Sequence, residues 1–285
     1  MLFRIELSLG LPDHKIRKLK SIYMHHIKSS ILIILLLVML IQPSYAKDPK
    51  LEFYSLIIYR IKDKAQENKV DQYLQQAYLP ALHRAGKSKV GVFKPIASDT
   101  IAFGKAIYVL TSFQSLDDFT KITTSLSKDQ MLATDGAPYL NSKFDDTPYE
   151  RMETILMRAF ANMPIMETPK LTGPRNERIY ELRSYEGPTE KLYQSKVKMF
   201  NNGDEIGLFK RLQFNAVFYA EVLAGSRMPN LVYMTTFENR ATRDEHWKAF
   251  VDDAQWKKLI TIEEYKNTVS KSDIMLLAPT DYSDY

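Results

Sequence analysis

The apolar positions change period repeatedly along the chain. Residues 51–60 alternate as a strand, with Tyr54, Leu56 and Ile58 on one side and Ser55, Ile57 and Tyr59 on the other. Val70, Tyr73, Leu74, Ala77, Tyr78, Ala81, Leu82 and Ala85 then recur at helical spacing. Pro80 should kink or divide that helix, and Gly86 can supply its left-handed stop. Strands follow at about 89–96 and 105–113, a helix at 116–126 and a strand at 151–160. Between these last two, residues 127–150 are polar, carry Asp135-Gly136 and Pro138, and read as a long loop. The pattern then starts again. A strand at 178–186 leads to a helix opening near Pro188, and strands follow at about 214–223 and 230–237. Asn239 can cap a helix that carries Trp247, Phe250, Val251 and Ala254, and a strand at 271–279 closes the chain.

The order is β-α-β-β-α-β twice, the ferredoxin-like arrangement. Short matches support a duplication. Y-S-L-I-I-Y at 54–59 and Y-E-L-R-S-Y at 180–185 lie 126 positions apart. Thr111-Ser112-Phe113 and Thr235-Thr236-Phe237 are offset by 124, and Val92-Phe93 and Val217-Phe218 by 125. The first strand is apolar on both sides, so its sheet must be covered on both faces. Helices cover one face, and the sheet of the other module is the natural cover for the second. The expected fold is therefore α+β, with two tandem ferredoxin-like modules forming a barrel-like sandwich with helices outside. Residues 47–160 make the first module, 161–177 a linker rich in proline, and 178–285 the second module.

Residues 31–41 form an uninterrupted apolar run, preceded by His25, His26 and Lys28 and followed by Pro43-Ser44-Tyr45-Ala46. This pattern reads as a secretory signal peptide over 1–46, cleaved after Ala46. Met24 begins a signal of ordinary length and is an alternative start. The run is too short for a typical membrane span of about 20 residues. The expected location is periplasmic or secreted. In the same segment Arg4, Lys15, Arg17, Lys18, Lys20 and Lys28 outnumber Glu6 and Asp13, so nearly all of the net charge of +5 belongs to it. The remainder carries no basic footprint for nucleic acid. The chain has no cysteine, which excludes disulfides, thiolate metal sites and a thiol nucleophile.

Several stretches resemble a known family. I-Y-E-L-R-S-Y (179–185), E-V-L-A-G-S-R-M-P-N-L-V-Y-M (221–234), R-D-E-H-W-K-A-F (243–250) and W-K-K-L (256–259) resemble the NIPSNAP domain. The first half is similar more loosely, through P-A-L-H-R-A-G (80–86) and V-G-V-F (90–93). With its leader and its repeat, the chain looks like the exported bacterial members with two modules. The resemblance implies the dimeric α/β-barrel fold and leaves the biochemistry open.

Glu181, Arg183 and Tyr185 lie two apart and share one strand face. On an inter-sheet interior they would pair with a polar ligand; otherwise they form an internal ion pair or an exposed face. The first half has Ser55 and Ile57 at the positions of Glu181 and Arg183, while Tyr59 matches Tyr185. Arg183, Tyr185 and Tyr59 are the candidate ligand contacts. Glu181 and His246 are the candidate acids or bases, since imidazole titrates near neutrality. His83 and His246 are the histidines that remain after cleavage. Arg243 is expected to stack on Trp247, one turn ahead on the same helix. No nucleotide, hydrolase or metalloprotease motif is present, and neither a cofactor nor a metal is expected. The primary expectation is a module that binds a small ligand or a protein partner in or near the inter-module cavity. The alternative is a cofactor-independent oxygenase, isomerase or lyase using that cavity. A monomer or a homodimer, without membrane contact after cleavage, is compatible with either.

Overall fold

Eight strands and their helices follow the order read from the sequence. The computed structural model describes residues 14–15, 17–18, 21–27, 30, 50–97 and 103–285. The chain divides into two units, Met1–Asp48 and Pro49–Tyr285. In the first, residues 21–27 are helical. The apolar run 31–41 and the expected cleavage site at Ala46 lie outside the described residues. Among those described, no helix is long and apolar enough to cross a membrane.

In the second unit β1 (Phe53–Arg60) precedes α1 (Lys64–Tyr73), a wide π turn (Leu74–Tyr78) and α2 (Leu79–Arg84). Asp63 caps α1 by accepting from the Gln66 N–H. Pro80 neither ends nor breaks this helical run. It has no N–H to donate, and the turn before it widens so that the Leu79 N–H reaches back to Leu74. Gly86, at φ +87°, then stops it as expected. β2 (Val90–Pro95), β3 (Ala106–Phe113), α3 (Leu116–Leu126) and β4 (Arg151–Ala159) complete the half. The stretch 127–150 is less of a loop than its polarity suggests. It holds α4 (Gln130–Asp135), capped by Asp129, and the single turn α5 (Ala137–Leu140).

The second half runs β5 (Ile179–Glu186), α6 (Glu190–Asn201), α7 (Glu205–Arg211), β6 (Phe218–Ala224), β7 (Asn230–Phe237), α8 (Arg240–Asp252), α9 (Ala254–Leu259) and β8 (Lys271–Pro279). Thr189, not Pro188, sets the start of α6: its hydroxyl accepts from the Leu192 N–H, which leaves the proline just outside. Asn239 caps α8 as expected, in a reciprocal box with Thr242.

All strand pairs are antiparallel, and they close a barrel in the order β1-β3-β2-β8-β5-β7-β6-β4. Within each half the order is fourth, first, third, second strand, as ferredoxin-like modules require. The two sheets join at β2 with β8 and at β4 with β6, so every strand has two neighbours. The ladders test the repeat. Ile58 sits opposite Tyr108 and Ser184 opposite Val232, which agrees with the offsets of 126 and 124. The Val-Phe match is out of register: Phe93 faces Tyr108, whereas Ala220, not Phe218, faces Val232.

Alternation sorts the side chains into three cores. Tyr54, Leu56 and Ile58 of β1 and Tyr180 and Leu182 of β5 point into the barrel, with inward residues of the other strands. The opposite face of the first sheet packs under α1, α2 and α3 through Tyr59, Ile107, Val109, Leu74 and Leu82. That of the second packs under α6–α9 through Tyr219, Tyr233, Phe200, Phe209 and Phe250. Segment 161–177 is tied to both halves: Glu52 donates to Pro164, and Glu167 donates to Val217.

Candidate functional site

The barrel interior is filled at one end and open at the other. At the filled end the inward residues are rings. Tyr54 packs on Phe218 at 5.3 Å and Phe93 on Tyr180 at 4.9 Å, and Tyr285 closes on both Phe93 and Tyr180. Two to four positions along, the inward residues shrink. Leu56, Ile58, Ile155, Leu182, Val222 and Val232 surround a cavity of about 380 Å³, with Tyr108 and Met275 on its wall. The two halves contribute unequally. Where the first half places Tyr108, the equivalent residue of the second is Val232, and the missing ring makes room.

The lip of this cavity is polar. Arg60, at the end of β1, donates through Nε to Glu153 of β4 at 3.0 Å, and Ser226 donates to the other oxygen of Glu153 at 3.3 Å. Across the opening Arg227, in the β6–β7 turn, pairs with Asp273 and stands 3.5 Å from Glu186. Glu153 and Asp273 are equivalent positions of the two fourth strands, since Glu153 faces Ile58 and Asp273 faces Ser184. Inside, the Tyr108 hydroxyl donates to the Met275 thioether at 2.7 Å. Burial raises this phenol above its ordinary range, and the neighbouring Arg60 guanidinium opposes part of that rise. An apolar chamber with a few convergent polar groups suits a small molecule with an apolar body and one polar end.

Glu181, Arg183 and Tyr185 do share a face of β5, but it is the outer one, under α8, not the barrel interior. Glu181 is fully buried. Arg183 Nε donates to its Oε1 at 2.7 Å, and Arg243 of α8 grips both oxygens at 2.8 and 2.9 Å. The Trp247 indole donates to Oε2 at 2.8 Å. Arg183 also donates to the Tyr185 hydroxyl, which is 2.9 Å from that of Tyr233. Burial alone would raise the Glu181 carboxyl, but the two arginines and the indole more than offset it and hold it below the usual range. These groups are matched to each other, which is the internal ion pair and not the ligand pocket. The expected contact of Arg243 with Trp247 is present at 5.9 Å from the ring centroid, and Arg183, from the sheet, lies closer, 3.6 Å over the same ring.

Tyr59 sits on the outer face of β1, buried against Tyr139 and Tyr149, and does not meet Tyr185. His246 is half-buried; its Nδ1 lies 2.6 Å from the Thr242 carbonyl and its ring meets Phe214 and Phe237 edge-on or tilted. His83 pairs with Asp284 at 2.9 Å. Neither histidine lines the cavity. Lys196 and Glu205 form a second buried pair, at 2.9 Å, that sequence reasoning missed. They belong to different helices and carry no spacing signal. Tyr108 shares the inward face of β3 with Leu110, but both faces of that strand are apolar, so nothing along the chain marks which one lines the barrel. Among the described residues no group of His, Asp or Glu is placed to hold a metal ion.

Residues 180–284 match the NIPSNAP family model. No curated protein matches the chain. A monooxygenase candidate from Lactobacillus acidophilus shares the fold with a TM-score of 0.53 at 11% identity, over 80% of this chain and 94% of its own. A second monooxygenase candidate, from Fusobacterium nucleatum, gives 0.52 at 8% identity, over 80% and 92%. A NIPSNAP family protein from Agrobacterium tumefaciens is 21% identical over 37% of this chain and 96% of its own, with a TM-score of 0.33. The similarity to the NIPSNAP family thus lies in the second half of the barrel, residues 180–284.

Proposed function

We propose that this protein binds a small, largely apolar molecule with a polar end in the chamber at the open end of its barrel. The observation that carries this reading is the cavity itself. An otherwise close-packed interior leaves about 380 Å³ lined by Leu56, Ile58, Leu182, Val222 and Val232, and the lip above is set with charged groups. Concave, mostly apolar spaces of this size with a few convergent polar groups are where small molecules bind. The leader over 1–46 supports a periplasmic or secreted setting for this binding. If the chamber supports chemistry, its groups are Tyr108 and Arg60. Glu181 and His246, the earlier candidates, do not line it.

Native mass spectrometry of protein from the exported fraction of its host tests both parts together. The expected result is a chain that begins at Lys47 and carries an additional small mass. That mass should be lost in Val222→Trp, which fills the chamber, and kept in Arg183→Ala, whose side chain lies on the other face of the sheet. A chain that retains residues 1–46 would overturn cleavage after Ala46, and absence of the protein from the exported fraction would overturn export. An added mass indifferent to Val222→Trp would overturn the chamber as the site.

A further inference from the structure

The two halves are related by a repeat, yet the polar groups of the chamber are not. At the level of the ladder where Ile58 faces Tyr108, the second half has Ser184 facing Val232. Where the first half ends β1 on Arg60, the second ends β5 on Glu186. A guanidinium and a phenol therefore stand together on one wall only.

Both groups are weakly committed. Arg60 has five N–H donors and uses only part of them, Nε toward Glu153 and another toward the Tyr108 hydroxyl. Arg227 across the lip is different, held between Asp273 and Glu186. The Tyr108 hydroxyl is fully buried and donates to a thioether sulfur. Sulfur of this kind is a weak acceptor, so an oxygen arriving in the chamber would be a better partner for that proton.

Resting on the reading that the chamber binds a ligand, we infer that Arg60 and Tyr108 form a subsite for an anionic oxygen. The ligand is then an organic anion, such as a carboxylate, sulfonate or phenolate, with its apolar body toward Leu182, Val222 and Val232. The lopsided polar wall admits it in one orientation although the barrel is built from a repeat. The phenol remains a donor in this role, because burial disfavours its ionised form.

A matched pair of fluorescent probes tests this: 1-anilinonaphthalene-8-sulfonate and its neutral counterpart N-phenyl-1-naphthylamine, titrated into the full chain. The sulfonate is expected to bind about tenfold more tightly, as charge-assisted hydrogen bonds of this kind support. Arg60→Gln should remove that advantage and leave the neutral probe unchanged. Tyr108→Phe should weaken the sulfonate several-fold. Glu153→Gln removes the carboxylate that competes for Arg60 and should tighten the sulfonate but not the neutral probe, a selective gain that a loosened fold, which exposes apolar surface to both probes, does not produce. Equal affinity for the two probes, or parallel losses for both in Arg60→Gln, would overturn the subsite while leaving the chamber reading intact. Binding of both probes undiminished by Val222→Trp, or by the milder Ile155→Phe, would overturn the chamber reading itself.

Discussion

On the outer face of the first sheet, Ser55, Ile57 and Tyr59 meet a helical layer of Val70, Leu74, Ala77 and Leu82, and the contact is apolar. At the equivalent positions of the second sheet, Glu181, Arg183 and Tyr185 meet Arg243 and Trp247 of α8, and the contact is ionic and aromatic. The strand order, the ladders and the helix caps are otherwise alike. Asp63 and Thr189 cap the first helix of each half, Ser115 and Asn239 the last long one. The same backbone is thus stabilised by two different chemistries on one of its faces. The ionic version is not required by the topology. It persists because each Glu181 oxygen has two donors, so the cost of burying the charge is met on the spot. What it adds is a defined seat for α8, because Arg243 and Trp247 reach the same carboxylate only in one register of that helix.

Mutations that unbalance the ionic face should separate the halves most. Glu181→Gln leaves Arg183 buried without a counter-charge and Arg243 with Asp244 alone, and is expected to cost about 3–5 kcal/mol in urea denaturation. Ser55→Ala, at the matching position, should cost no more than about 1 kcal/mol. Equal losses would break the comparison. The apolar face should fail by a different route. Leu74→Ala opens a cavity beneath α1 and should cost about 3 kcal/mol, with no dependence on salt or pH.

Acid titration sharpens the contrast further. The folded pKa of Glu181 is depressed, so its contribution to stability is fully present above the unfolded carboxylate value of about 4.3. That contribution is lost as pH falls through the folded value, where the carboxyl takes up a proton and releases both arginines. The difference in stability between the native chain and Glu181→Gln should therefore shrink on acidification below about pH 4.3. A difference that stays constant to the acid limit would show that the charge on Glu181 is not what holds α8. The smallest effects belong where the halves share their physics. Ser115→Ala and Asn239→Ala each remove one N-cap acceptor and should each cost about 1 kcal/mol. A cap worth much more in one half than the other would mean that the helical layers are coupled differently to their sheets.

The cavity is the other place where the halves part, and there the difference falls on the proposed ligand site. Tyr108 against Val232 is a change of one side chain at one ladder position. It both opens the chamber and supplies its innermost donor. Neither residue stands out along the chain, since each sits in an apolar run of a central strand.

Periodicity and punctuation were sufficient for the order of elements. Asp63, Ser115 and Asn239 cap helices by local hydrogen bonds, Gly86 takes a left-handed turn, and alternation in β1 requires cover on both faces; all of this is decided within a few residues. The shared face of Glu181, Arg183 and Tyr185 was legible for the same reason. Which side of the sheet that face occupies was not, because a strand with apolar groups on both sides carries no mark of inside and outside. The barrel settled it through pairs far apart in sequence, β2 with β8 and β4 with β6. It turned Tyr108 and Arg60 toward a common space and sent the suspected site beneath the helices. Local conformation follows from neighbours along the chain, whereas a site is a meeting of strands whose order only closure of the sheet decides.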